Sequence, residues 1–248
     1  MRSKLLMGAV AASASLAFAG VAHGVVSADN TTTFEVTAKP ADSGTATKPK
    51  NVTLHFENTV NRPSTTVGTI VVNLPKGLKF SGKGLKKCSA DNLQLNGPSA
   101  CPAGSKAGPM GTSTARVEPA NTPLDLHVYP FVGSNTSILF YLIQTDPAGN
   151  ELASGIQTVL TGKLTNKGRK LSISIPEELR QPVRGLNATL TSIKATFVGK
   201  VGKHYLVSST NCKGGKWKVG STLVFAPRSD NAPVPPASSL TDPVKCKK

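Results

Sequence analysis

The chain has 248 residues, with 29 Lys+Arg against 13 Asp+Glu and a formal charge of +16, yet only 17% of its residues are charged. Gly, Pro, Thr, Ser and Asn abound, a composition of short strands and many turns that excludes a mainly helical fold. The length suits a single all-β domain, which commonly reaches 200 to 250 residues.

Residues 1–28 read as a secretory leader. Arg2 and Lys4 form a positive n-region, Leu5 to Ala22 is an apolar run, and Val26-Ser27-Ala28 is a small-x-small cleavage site that would start the mature chain at Asp29. A cut after Ala19 is the alternative. Gly8, Ser13, Ser15 and Gly20 within the run argue against a retained membrane anchor. No cysteine follows to accept a lipid and no apolar segment near the C terminus resembles a sorting tail, so no transmembrane anchor is expected after cleavage. Without Arg2 and Lys4, 27 basic residues face 13 acidic ones, a charge of +14.

From Thr31 the pattern alternates. Phe34, Val36 and Ala38 face one way, and Glu35, Thr37 and Lys39 the other. Val52, Leu54 and Phe56 repeat this after a Gly/Pro/Lys-rich link, and Ile70, Val72 and Leu74 form the inward set of a third strand. That strand delivers the chain to a loop, Leu74 to Val117, that carries two of the four cysteines. Within it Ser89 is placed to cap one turn of helix.

The succession Leu74-Pro75-Lys76-Gly77-Leu78-Lys79-Phe80, Cys88-Ser89 and Cys101-Pro102-Ala103-Gly104-Ser105-Lys106-Ala107-Gly108 resembles an LPxGLxF…CS…CPxxSxxG pattern. It recurs in secreted, uncharacterised β-rich proteins of actinobacteria. The resemblance runs from about Phe34 to Cys246, departs from the pattern at Met110, and implies compartment and architecture without an activity.

Further strands are expected over Thr112–Glu118, Leu124–Val132, Thr136–Gln144, Ile156–Thr165, Arg169–Ile175, Ala188–Gly199 and Lys203–Thr210. Ser137 to Ile143 is apolar on both faces, which marks a central strand. About ten strands at short spacing predict an antiparallel β-sandwich, Greek-key or jelly-roll-like, with the loop as a disulfide-tied insertion. The sandwich is expected over residues 29–226, with a Pro/Ser-rich C-terminal tail over 227–248.

An even cysteine count in an exported chain argues for disulfides. Of three connectivities, Cys88–Cys101 with Cys212–Cys246 closes two local loops, worth about 3 and about 4 kcal/mol by chain entropy. A zinc site competes, but the cysteines lack C-x-x-C spacing and a histidine nearby.

The residues show no nucleophile elbow, phosphate loop, dinucleotide fingerprint or EF-hand series. His55 and His127 fall on polar strand faces, and His204 shares a face with Leu206. Glu177-Glu178 reads as a turn after Pro176, and Asp146 to Glu151 as a hairpin loop or a weak calcium site. No catalytic residue, metal or cofactor is assigned. Lysines cluster at Lys76 to Lys87, at Lys200 to Lys218 and at Lys245 to Lys248. Lys83, Lys86, Lys87, Lys213, Lys216 and Lys218 are the candidate polyanion contacts, with a solvated surface that keeps the protein soluble and protects strand edges as the favoured alternative, and Trp217 is the candidate exposed aromatic, with burial beneath the tail as its favoured alternative. The expected protein is a non-catalytic module of the envelope or extracellular space, secreted or peripherally wall-associated. Its role would be structural, adhesive or binding, toward an anionic wall polymer or polysaccharide and not a specific nucleic acid. A secreted hydrolase and a stand-alone carbohydrate-binding module are the alternatives.

Overall fold

The structure is a computed structural model and describes residues 24–248. The expected leader falls almost wholly on residues 1–23, outside the described residues. Its expected cut after Ala28 would remove the first short strand described here, whereas a cut after Ala19 would retain it.

The strands are β1 (Val25–Val26), β2 (Thr32–Lys39), β3 (Lys50–Asn51), β4 (Thr53–Val60), β5 (Thr66–Asn73), β6 (Leu78–Phe80), β7 (Gly111–Val117), β8 (Thr122–Ser134) and β9 (Ser137–Thr145). They continue as β10 (Gln157–Thr165), β11 (Lys170–Ser174), β12 (Ala188–Phe197), β13 (Lys200–Val201), β14 (His204–Tyr205), β15 (Val207–Ser209), β16 (Lys216–Ala226) and β17 (Ser238–Lys245). Helix α1 (Ala90–Asn96) lies in the loop between β6 and β7, and α2 (Glu177–Arg180) follows β11.

Twelve strands form one antiparallel sheet in the order β1-β2-β4-β12-β7-β8-β9-β10-β11-β5-β16-β17. This sheet curls until β17 comes back beside β1 and β2, a nearly closed barrel in place of the expected ten-strand sandwich. The seam is bridged by a side chain and not a ladder: Val36 N donates to Asp242 Oδ2 at 2.9 Å. Two strands not among those expected, β16 and β17, complete it. Residues 227–248 are therefore not a tail, since β17 pairs with β16 from Lys216↔Lys245 to Leu223↔Ser238. Pro243 is tolerated there because β17 is an edge strand.

The strand faces explain the closure. Phe34, Val36, Leu54 and Phe56 point inward and are buried, while Thr33, Glu35, His55 and Glu57 point outward. A polar outside around an apolar inside is the reverse of a lipid-facing barrel. The interior is filled unevenly. Toward one end Phe56, Phe80 and Phe140 all pack edge-on against Phe197. That end is closed by the small sheet β3-β15-β6 and the β13-β14 hairpin.

β9 is buried on both faces because it has two cores to fill. Ile138, Phe140 and Leu142 line the barrel. Leu139, Tyr141 and Ile143 lie under α1, together with Leu93 and the Cys88–Cys101 disulfide. Ser89 caps α1 as expected, its Oγ accepting from Asn92 N at 3.2 Å. The second disulfide joins Cys212 to Cys246, with Cα atoms 5.9 Å apart.

A lysine-covered end as the candidate binding site

Antiparallel pairing sends alternate connections of the chain to the same end of the barrel. The connections after β2, after β5, after β10 and after β12 share one end with the last residues of β17. These connections carry the lysines. Lys39, Lys48 and Lys50 come from the first, Lys76 to Lys87 from the second, Lys163 to Lys170 from the third, Lys200 to Lys216 from the fourth, and Lys245 to Lys248 from the terminus. Every lysine among the described residues lies at or near this end except Lys194 in β12.

Short contacts tie these loops into one surface. Thr210 N donates to Gly77 O at 2.7 Å, and Ser43 N donates to Lys247 O at 2.8 Å. Gly84, at φ +77°, sits so close to the His204 ring that a β-carbon would collide with it, which brings the loop of Lys83 to the hairpin of Lys203. Lys216 and Lys245 stand directly opposite each other on β16 and β17. Like charges in that register weaken a ladder.

The structure brings the six predicted lysines to this end but does not treat them alike. Lys83, Lys86, Lys213, Lys216 and Lys218 are exposed. Lys87 is drawn inward, its Nζ donating to Gly82 O, and burial pushes its pKa down. It braces the loop and is the weakest contact candidate of the set. Trp217 is not exposed either. It is 1% accessible and its Nε1 donates to Asn211 O at 2.7 Å, because β17 and the Cys212–Cys246 bridge hold the chain's end over it.

The charges at this end are unpaired. Among the described residues the one lysine in an ion pair is Lys194, 2.9 Å from Glu57 and away from this surface. Carboxylates near the lysines are few: Asp42 among the loops, and Asp91 on the flank at the start of α1. The opposite end is built otherwise. It holds Arg62, Arg116, Arg180, Arg184 and Arg228 among a larger number of carboxylates. Arg62 pairs with Asp29, and Arg228 with both Glu118 and Asp230 at 2.6 Å. Burial opposes ionisation of Glu118, but hydrogen bonds from Ser64 N, Arg228 and Thr189 outweigh it and lower its pKa.

No family model, curated protein or solved structure matches the chain. The geometry therefore carries the functional argument alone.

On the outer face of the sheet, His127 Nδ1 and the Tyr129 hydroxyl lie 3.1 and 2.6 Å from Glu151 Oε1. Burial and that carboxylate push the Tyr129 pKa up to about 12. The hydroxyl therefore serves Glu151 as a hydrogen-bond donor and is a poor proton shuttle near neutrality. Among the described residues no group of three or more His, Cys, Asp or Glu is placed to hold a metal ion.

Proposed function

We propose that this protein is an exported, non-catalytic binding module that docks by its lysine-covered end on an anionic polymer of the envelope or extracellular space. The single observation that carries this reading is the separation of charge along the barrel, with lysines unpaired at one end and, at the other, arginines set among more numerous carboxylates and two of them ion-paired. In water two lysines about 10 Å apart repel by only about 0.4 kcal/mol. Folding tolerates the arrangement, while the summed field of so many reaches several kT.

Flexible ammonium groups with few carboxylates among them suit a repeating phosphate or carboxylate polymer that presents charge without fixed geometry. Two disulfides fit an oxidising compartment. Trp217, being buried, adds no stacking platform for a sugar.

The test is retention of the disulfide-intact protein on immobilised polyphosphate across a salt gradient. The protein should bind at low salt and elute steeply as the Debye length shrinks. Replacing Lys83, Lys86 and Lys203 together by Gln should lower the eluting salt clearly. Replacing Arg116 and Arg184 should not. Equal elution of the two variants would defeat the assignment.

A further inference from the structure

At the arginine pole four connections meet: the β4–β5 turn, the β7–β8 turn, the link from α2 to β12 and the link from β16 to β17. Between them lies an open cleft of about 470 Å³. That is the size of a small-molecule site, roughly 300–1,000 Å³, and at about 30 Å³ per water it has room for about fifteen of them. A recess of about 190 Å³ adjoins it and shares Pro63, Glu118 and Asn121, so the space continues past the cleft wall.

The floor of the cleft is fixed. Arg228 is 7% exposed and donates from Nη2 to Glu118 Oε2 and Asp230 Oδ2, both at 2.6 Å. Glu118 Oε1 accepts from Ser64 N at 3.0 Å and from Thr189 Oγ1 at 2.9 Å. Asn187 ties in the remaining loop: its Oδ1 accepts from Ser229 N at 3.2 Å, and its carbonyl accepts from Glu118 N at 2.9 Å. The bond from Ser229 also fixes which end of the amide is nitrogen. Asn187 is 4% exposed, yet its Nδ2 has no hydrogen-bond partner among the described residues, where no fully buried side-chain nitrogen or oxygen goes unpartnered. That nitrogen therefore opens on the cleft, of which Asn187 is a wall.

The charges on the floor are already compensated, because Arg228 faces Glu118 and Asp230. A charged ligand meets no free opposite charge there. Both carboxylates stay ionised near neutrality, so they accept hydrogen bonds and neither supplies the proton that glycosidic cleavage needs. What remains open is an amide donor, Asn187 Nδ2, with the Asp230 carboxylate as an acceptor on the same cleft. Hydroxyls, which both accept and donate, suit that pair. The exposed rings of Pro63 and Pro119 add rigid apolar walls that the C–H face of a sugar can cover. A peptide strand would instead seek an open sheet edge. We infer that this cleft binds one neutral saccharide ring, with one hydroxyl accepting from Asn187 Nδ2 and another donating to Asp230. The inference stands apart from the polyanion reading, which concerns the opposite pole and charged polymers.

The experiment is titration of the disulfide-intact protein with the methyl glycosides of glucose, galactose, mannose, arabinose and N-acetylglucosamine, followed by amide NMR shifts. It is run at low salt and at about 0.5 M salt, where charge attraction is screened. At least one glycoside should bind saturably, equally at both salts, with the shifts centred on residues 61–65, 118–121, 185–187 and 228–230. Asn187→Asp keeps the acceptor for Ser229 N and removes the donor, and should weaken binding at least tenfold. Should that variant fail to fold, Asn121→Asp at the exposed rim, where φ is 53° and Asp is tolerated, should weaken it several-fold. The Lys83/Lys86/Lys203→Gln protein should bind as the native one does. Absence of saturable binding by all five, binding untouched by the folded asparagine variant, or binding that disappears with the lysines or with salt would each overturn the assignment.

Discussion

At the scale of single residues, Trp217 shows how context decides a side chain's role. Its neighbours Lys216 and Lys218 point outward while the indole points inward, as alternation on a strand requires. Placed on β16 it becomes the largest fully buried side chain of the molecule's described part. Trp217→Ala should cost about 3–5 kcal/mol in chemical denaturation. Trp217→Phe should cost less, chiefly about 1 kcal/mol for the Asn211 carbonyl left without its donor. A surface tryptophan would show neither loss.

At the scale of elements, β17 is the long strand left at an edge of the main sheet. It pairs with β16 on one side only and meets β2 through the Asp242 carboxylate. The disulfide closes a loop with a sequence separation of 34. Cys212→Ser with Cys246→Ser should lower stability by about 4 kcal/mol if the chain-entropy account holds. Hydrogen exchange should then speed up in β17 well before β5, which is flanked by β11 and β16.

The same strand marks where the sequence stops being legible. The β2, β4, β5 and β11 assignments follow from clean alternation, and both cysteine pairs follow from local closure. β16 carries its own alternation, Trp217, Val219, Leu223 and Phe225 inward against Lys216 and Lys218 outward, whereas β17 was hidden because Asp242, Pro243 and the serines of 238–239 read as loop text, and only pairing with β16 gives it a place. Barrel closure in place of a sandwich was hidden for the same reason, since it depends on those last two strands. The lysine end was half legible: clusters at Lys76–Lys87 and Lys200–Lys218 were visible, while Lys39, Lys48, Lys50, Lys106, Lys163, Lys167 and Lys170 looked scattered. Their signal is periodic in connections. Lysines fill every other link between strands of the main sheet, save the uncharged turn between β8 and β9. Arginines and carboxylates fill the intervening links.

At the scale of the whole molecule, the titrating groups set a stability plateau with two edges. Folding lowers the pKa of Glu118 and Glu151 from 4.5 and that of Asp230 from 3.8 to about 2. Burial resists the shift at Glu118, whereas the Tyr129 hydroxyl drives it at Glu151 and Arg228 drives it at Asp230. Lowered carboxylates bind fewer protons folded than unfolded, so their contribution is present above the unfolded values and is lost as pH falls through the folded ones. Tyr129 works in reverse: raised from 10 to about 12, it loses its contribution as pH rises across that interval. Thermal midpoints should be flat between about pH 6 and 9, fall below about pH 4.5 and fall again above about pH 10. Glu118→Gln should lower the plateau and shallow the acid edge. An acid edge unchanged by that substitution would remove the Arg228 cluster from the account.

The separation of lysines from arginines also sets a direction. A barrel held to a charged matrix by one pole stands upright on it, with its long axis normal to the surface. The α2 pole, where Arg180 stands, is then turned toward the medium. Attachment would leave the arginine-bearing pole facing solvent while the lysine pole is engaged.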